Sequence, residues 1–263
     1  MPVAEVCQTR LKYLLEGPEQ GQVVMLCNSL ASNLSMWDLQ AKELVQAGYQ
    51  VLRYDTRGHG DSDAPEAPYS MEVLLNDAIG LLDYLKLERI HFCGLSLGGM
   101  LGQMMGIHYP QRLHRLLLCS TAAYLGPAQM WEDRMQTARS LGMQALVQPT
   151  IDRWFTQQGQ RRLPEQVQKF KNMIQNTPVQ GFCGCCAAIR DMDLRQEIVQ
   201  IKTPTLVVSG ELDQGTPVEE ARFIQEQIPG ARLEVIPQTA HMLNVEQAER
   251  FNNILLGFLR SGA

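Results

Sequence analysis

Ile90-His91-Phe92-Cys93-Gly94-Leu95-Ser96-Leu97-Gly98-Gly99-Met100 is the stretch on which the fold turns. Ile90 to Cys93 is an apolar run that reads as a short buried strand. Gly94-x-Ser96-x-Gly98 follows at once, and the apolar, glycine-dotted segment from Leu97 to Ile107 reads as a helix. Strand, Gly-x-Ser-x-Gly and helix together form a nucleophile elbow. The serine occupies a strained, sharp turn at positive φ, a costly position for a residue with a side chain. Glycines two before and two after it allow strand and helix to pack closely. The Leu97 N–H then points to where an oxyanion would form.

Working outward from that turn, strands and helices alternate. Val3 to Gln8 and Leu11 to Glu16 read as two short strands, with a turn at Gly17-Pro18. Val23 to Cys27 is a continuous apolar run, as expected of a strand covered on both faces. A polar loop, Asn28 to Asn33, follows it. A helix is expected from Trp37 to Ala47, stopping at Gly48, and the next strand from Tyr49 to Tyr54. The latter ends in the turn-rich Asp55-Thr56-Arg57-Gly58-His59-Gly60-Asp61-Ser62. Apolar residues from Val73 to Leu85 recur close to the helical period, which predicts a helix over 70–85. Leu113 to Cys119 is another strand. Later come a strand at Thr205 to Gly210, a helix at Pro217 to Gln227 with Thr216-Pro217 as N-cap and first turn, a strand at Arg232 to Ile236 and a closing helix from Val245 to Leu259.

From Ala122 to about Arg195 the apolar period becomes helical and no strand-like run stands out. Two of the three tryptophans, Trp131 and Trp154, lie here. The pattern predicts an α/β core at 1–121 and 196–263 with a mostly parallel sheet covered by helices on both faces, and a helical cap inserted at 122–195. At 263 residues the chain is long enough to bury a core of that size.

Bulk properties narrow the function. A net charge of -5 gives nucleic-acid binding no electrostatic support. No apolar run approaches the roughly 18 residues needed to span a membrane. The N-terminus lacks the basic and apolar regions of a signal peptide. Seven cysteines, an odd number and mostly within apolar runs, read as free thiols of a cytoplasmic protein. Cys183-Gly184-Cys185-Cys186 lacks the second pair or nearby histidine that a metal site needs and reads as buried thiols of a helix. No motif specifies an oligomeric state.

A serine hydroxyl needs a base, and the base an orienting acid. Of five histidines, His241 stands alone after the last strand, where the base belongs in the chain order Ser, Asp or Glu, His. His59, His91, His108 and His114 lie elsewhere. Asp213, at the strand-to-loop junction after Thr205 to Gly210, is the candidate acid, with Glu211 the competitor. All three candidates sit just past the carboxyl ends of strands, where open α/β sheets build their sites. The loop after Val23 to Cys27 is expected to supply the second oxyanion donor, the Leu30 N–H, beside that of Leu97.

These residues carry a resemblance. The chain resembles the α/β-hydrolases over nearly its whole length, and more narrowly it is similar to the 3-oxoadipate enol-lactonases of the β-ketoadipate pathway of aromatic breakdown. The similarity rests on Cys27 to Leu30, Leu52 to Gly60 and His91 to Met100, and more specifically on Arg153-Trp154-Phe155-Thr156, Cys185 to Arg195, and Asn244-Val245-Glu246. Ala31, Val218 and Met242-Leu243 depart from the usual pattern, outside the three candidate residues. The resemblance implies hydrolysis of 3-oxoadipate enol-lactone to 3-oxoadipate through an acyl-serine, with no metal or organic cofactor; the charge and the lack of a long apolar run already argue against a nucleic-acid or membrane partner. A substrate with a carboxylate calls for a cation in the pocket. Arg134, one helical turn after Trp131, is the first candidate, with Trp131, Trp154 and Arg190 as further substrate-binding residues. Arg57 reads as a structural residue of its turn. The alternatives are another small-substrate carboxylesterase or C–C bond hydrolase of this fold, or a non-catalytic ligand receptor built on it.

Overall fold

Val23–Cys27 forms a strand, β3, that is buried at every position. The structure, a computed structural model, describes residues 2–261. Around β3 lie β1 (Val3–Val6), β2 (Thr9–Glu16), β4 (Gln50–Tyr54), β5 (Ile90–Leu95), β6 (Leu113–Cys119), β7 (Thr205–Gly210) and β8 (Arg232–Ile236). They form one sheet in the order β1-β2-β4-β3-β5-β6-β7-β8. The β1/β2 and β2/β4 pairs are antiparallel, and every pair from β4 through β8 is parallel. Parallel neighbours need crossover helices. Among these are α1 (Asp38–Gln46), α2 (Met71–Tyr84) and α3 (Leu97–His108). Val23, Leu52, Phe92 and Leu117 illustrate the reason: their strands are apolar almost throughout because helices cover both faces.

From β3 the chain crosses to β4 on one side and then returns to β5 on the other. The carboxyl ends of β3 and β5 therefore open a crevice at a topological switch point. Cys27 pairs with Gly94 at that end, which brings the loop after β3 beside the loop after β5.

Between β6 and β7 the chain forms α4 (Ala128–Leu141), α5 (Gln144–Trp154), α6 (Gln157–Arg162), α7 (Pro164–Asn176) and α8 (Val179–Asp191). Tyr124 and Asp193 make an isolated antiparallel bridge where this segment leaves and rejoins the sheet. Cys183, Cys185 and Cys186 are buried thiols of α8, and all seven cysteines are unpaired. After β7 come α9 (Val218–Gln227), then β8, α10 (Leu243–Glu246) and α11 (Ala248–Arg260).

Two local expectations are corrected. The closing helix is not continuous: Gln247 leaves the helical region at φ −130° and splits it into α10 and α11. The Glu246 carbonyl accepts a hydrogen bond from the Arg162 side chain. Thr216 is not the N-cap of α9. Pro217 holds that position with no side-chain cap, because the Thr216 hydroxyl is directed to Asp213 instead. No described helix is long and apolar enough to cross a membrane.

Candidate active site

Ser96 sits at φ 59° and ψ −114°, between the end of β5 and the first turn of α3. This strained backbone is held from three directions. Its N–H donates to the Cys119 carbonyl at 2.9 Å, and its carbonyl accepts from Thr121 Oγ1 at 2.9 Å and from the Met100 N–H at 3.0 Å. The flanking glycines are required by contact. A Cβ on Gly94 would fall 2.1 Å from the Gly98 carbonyl oxygen, and one on Gly98 would fall 2.3 Å from that of Cys27.

His241 lies on the loop between β8 and α10. Its Nδ1 is 2.7 Å from Asp213 Oδ2. The same carboxylate accepts from Thr216 Oγ1 at 2.8 Å, and its Oδ1 accepts the Gly215 and Thr216 N–H groups at 2.8 and 3.1 Å. Burial alone would push the Asp213 carboxyl up. The adjacent His241 ring and the Thr216 hydrogen bonds outweigh burial and hold it below its ordinary value. A carboxylate that stays ionised orients the imidazole with its Nδ1 proton toward the acid, which leaves Nε2 as the basic nitrogen. The His241 carbonyl is fixed by Ser120 Oγ at 2.9 Å. Trp154 stacks on the imidazole, with ring centroids 6.4 Å apart and planes 17° from parallel. Glu211 accepts the Gln238 N–H at 2.9 Å rather than contacting His241.

Ser96 and His241 line one cavity, together with Leu30 and Ala31 from the loop after β3. The other four histidines do not line it. Among the described residues the Leu30 and Leu97 N–H groups have no hydrogen-bond acceptor in the protein, so they are free to receive one from a ligand. Asn28 fixes the loop that carries Leu30. Its side chain donates to the Tyr54 carbonyl at 2.7 Å, and its own carbonyl accepts the Gly98 N–H at 3.0 Å.

A further part of the cavity lining comes from the helices between β6 and β7. Trp131 and Arg134 on α4 and Trp154 on α5 all line the cavity. Arg134 stacks over the Trp131 ring at 4.9 Å. Arg190 does not line it, contrary to expectation. Its guanidinium pairs with Glu132 and with Asp191 at 2.7 Å, which leaves no free charge for a ligand. Arg153 lines the cavity and was not singled out in the sequence beyond its place in the Arg-Trp-Phe-Thr stretch. Only three-dimensional placement distinguishes it, since Arg153 and Arg190 are both basic residues of apolar helices. Arg153 bonds Thr150 Oγ1 at 3.2 Å, and neither it nor Arg134 has a carboxylate at ion-pair distance among the described residues. Burial lowers the pKa of both; that of Arg153 falls to about 10, with the charge of Arg134 as the second cause.

Comparison with known proteins agrees with this fold. The α/β hydrolase fold family model matches residues 22–248. The chain is 38% identical to 3-oxoadipate enol-lactonase 2 of Acinetobacter baylyi, covering 92% of this chain and 90% of that protein. It is 33% identical to 3-oxoadipate enol-lactonase 1 of the same organism, covering 95% and 93%. Among solved structures, the enol-lactonase from Burkholderia xenovorans LB400 superposes with a TM-score of 0.97 at 38% identity, covering 99% of this chain and 100% of that one. The chain therefore belongs to the α/β-hydrolase family and is a serine-type ester hydrolase.

Proposed function

We propose that the chain hydrolyses 3-oxoadipate enol-lactone to 3-oxoadipate, a step of the β-ketoadipate pathway, with Ser96, His241 and Asp213 as its catalytic triad. One observation carries the reading. A single cavity joins Ser96 and His241 to two guanidinium groups, Arg134 and Arg153, that form no ion pair with a carboxylate among the described residues. Two half-buried like charges in one cavity disfavour each other until an anion enters, so the cavity favours an ester that bears a carboxylate. The enol-lactone is such an ester. The names of the A. baylyi relatives and the B. xenovorans structure support the same substrate class.

Ser96 Oγ attacks the lactone carbonyl while His241 Nε2 takes the hydroxyl proton. No hydrogen bond joins these two groups in the described structure, and such contacts often tighten only when substrate is bound. The tetrahedral oxyanion rests on the Leu30 and Leu97 N–H groups, each donor of this kind contributing roughly 3–4 kcal/mol in the transition state. The bond from carbonyl carbon to ring oxygen breaks. The ring oxygen departs as an enolate, receives the proton from His241 and tautomerises to the ketone. Water, deprotonated by His241, then attacks the acyl-serine, and the second carboxylate is released as Ser96 recovers its proton.

The helices between β6 and β7 act in this reading as a cap. Arg134 on its Trp131 platform binds the substrate carboxylate, and Trp154 covers the base. Seven unpaired thiols fit a reducing, cytoplasmic setting. The product identifies the reaction. Proton NMR of the enol-lactone incubated with catalytic protein should display the methylene signals of the open-chain keto diacid. A lactone left intact beside a hydrolysed aryl ester would point to a different carboxylate-bearing ester.

A further inference from the structure

The Ala31 backbone N–H donates to His59 Nε2 at 2.9 Å. A ring nitrogen that accepts a hydrogen bond carries no proton, so the proton of His59 resides on Nδ1. Nδ1 in turn lies 3.2 Å from the Arg57 carbonyl oxygen and donates to it. Only one neutral tautomer satisfies both contacts. The ring is 1% exposed, and burial lowers its pKa to about 4, so this tautomer persists at neutral pH.

His59 stands on a loop that is itself anchored. The Arg57 guanidinium pairs with the buried Asp77 carboxylate at 2.6 and 2.7 Å. Gly58 lies so close to α8 that a Cβ there would fall 2.4 Å from Gly181 Cα. Asp55, at the start of the loop, accepts the Leu34 and Asp61 N–H groups at 2.7 and 2.9 Å. The imidazole therefore meets Ala31 from a fixed base, and it does so without lining the cavity.

The target is the peptide plane next to the one that carries the Leu30 N–H. The Leu30 N–H belongs to the peptide between Ser29 and Leu30. On one side, the preceding peptide is held through the Asn28 carbonyl by the Gly98 N–H at 3.0 Å. On the other, the following peptide is held through the Ala31 N–H by His59. Ala31 adopts φ +60°, a left-handed turn that a residue with a side chain leaves readily unless its surroundings fix it. We infer that His59 is a positioning residue for the oxyanion hole, clamping the Leu30–Ala31 peptide so that the Leu30 N–H stays aimed at the developing oxyanion. The inference rests on the reading of Leu30 as an oxyanion donor.

Three substitutions separate this role from general support of the fold. His59→Gln places an amide oxygen near the position of Nε2, where it accepts the Ala31 N–H. His59→Asn is too short to reach, and His59→Leu fills the space without an acceptor. Turnover is read on p-nitrophenyl acetate as well as on the enol-lactone, so that the assay does not depend on the natural substrate. A displaced donor weakens only the transition state, so kcat should fall by about 10- to 10³-fold in the Asn and Leu variants while KM stays close to wild type. The Gln variant should recover most of kcat. Hydrogen exchange at the Ala31 amide should speed up in the Asn variant relative to the Gln variant. This comparison stands even should the Leu variant not fold. Equal kcat in all three variants, a loss confined to KM, or a Gln variant no better than Asn would overturn the inference. Failure of the wild type to turn over either ester would instead remove the oxyanion-hole reading beneath it.

Discussion

Glu246 and Thr156 meet through a 2.7 Å hydrogen bond although 90 residues separate them in the chain. Glu246 Oε1 accepts both the Thr156 hydroxyl and its N–H, the latter at 3.0 Å, and Oε2 accepts the Ala240 N–H at 2.7 Å. Ala240 precedes His241, and Thr156 lies two residues beyond Trp154. One buried carboxylate thus ties the loop of the proposed base to the junction of α5 and α6, and the Met242 N–H bonded to the Trp154 carbonyl at 2.9 Å adds a second tie. The Arg-Trp-Phe-Thr and Asn-Val-Glu stretches of the sequence are two halves of one contact.

Glu246→Ala leaves the buried Ala240 N–H and the half-buried Thr156 N–H without this acceptor. At about 1–3 kcal/mol for each orphaned donor, the expected loss of stability is about 2–6 kcal/mol. Urea denaturation measures it. A loss below about 1 kcal/mol would mean that the carboxylate is dispensable to both segments.

Asp213→Asn tests the orientation of His241. With the amide oxygen kept on the Gly215 and Thr216 N–H groups, the amide nitrogen takes the place of Oδ2 and cannot accept from His241 Nδ1 or the Thr216 hydroxyl. The imidazole should settle in the wrong tautomer, with kcat lowered by roughly 10⁴-fold and the fold retained. Steady-state kinetics beside a circular dichroism spectrum check both halves of this expectation.

Arg134→Met should discriminate by substrate charge. A charge-assisted hydrogen bond of about 1.5–3 kcal/mol corresponds to a rise of about 10- to 100-fold in KM for the carboxylate-bearing lactone. A neutral aryl ester should be hydrolysed with KM unchanged. The same comparison on Arg153→Met measures the share of the second guanidinium. Equal effects on the charged and neutral esters would assign Arg134 to packing against Trp131.

Acid should destabilise the protein through its buried histidines. Folded His59 stays neutral down to about pH 4, whereas the unfolded chain takes up that proton below its ordinary value of 6.5. Between those limits the unfolded state binds more protons, so stability falls as pH falls. Above 6.5 this group contributes no slope. One such histidine contributes up to ~1.4 kcal/mol per pH unit. His91, which burial also lowers to about 4, acts in the same direction. Denaturation midpoints at pH 7.5, 6.0 and 5.0 should display the decline, and His59→Gln should shallow it. A curve as steep in that variant as in wild type would place the proton uptake elsewhere.

The sheet and the elbow were legible in the sequence because both are local. Val23 to Cys27 is an apolar run, and Leu113 to Cys119 is apolar apart from His114 and Arg115; the bounds of both match the strands, and Gly94-x-Ser96-x-Gly98 encodes a strained turn in consecutive residues. Asp213 and His241 were legible from their order after strands, and the structure brings them within hydrogen-bond distance. What the sequence hid depends on distant partners. Thr216 has the residue type of an N-cap, but a carboxylate three residues away captures its hydroxyl. Arg190 and Arg153 are equivalent by type. Only the position of Glu132 and Asp191 beside the first, and of the cavity beside the second, separates them. His59 looks like a turn residue until Ala31, 28 positions away, is seen to donate to it.

The most direct measurement follows the ultraviolet absorbance of the enol-lactone with purified wild type and with Ser96→Ala at equal concentration. Rapid loss with wild type and loss near the uncatalysed rate with Ser96→Ala is the predicted result. Undiminished hydrolysis by Ser96→Ala, or no hydrolysis of the lactone by wild type, would contradict the account.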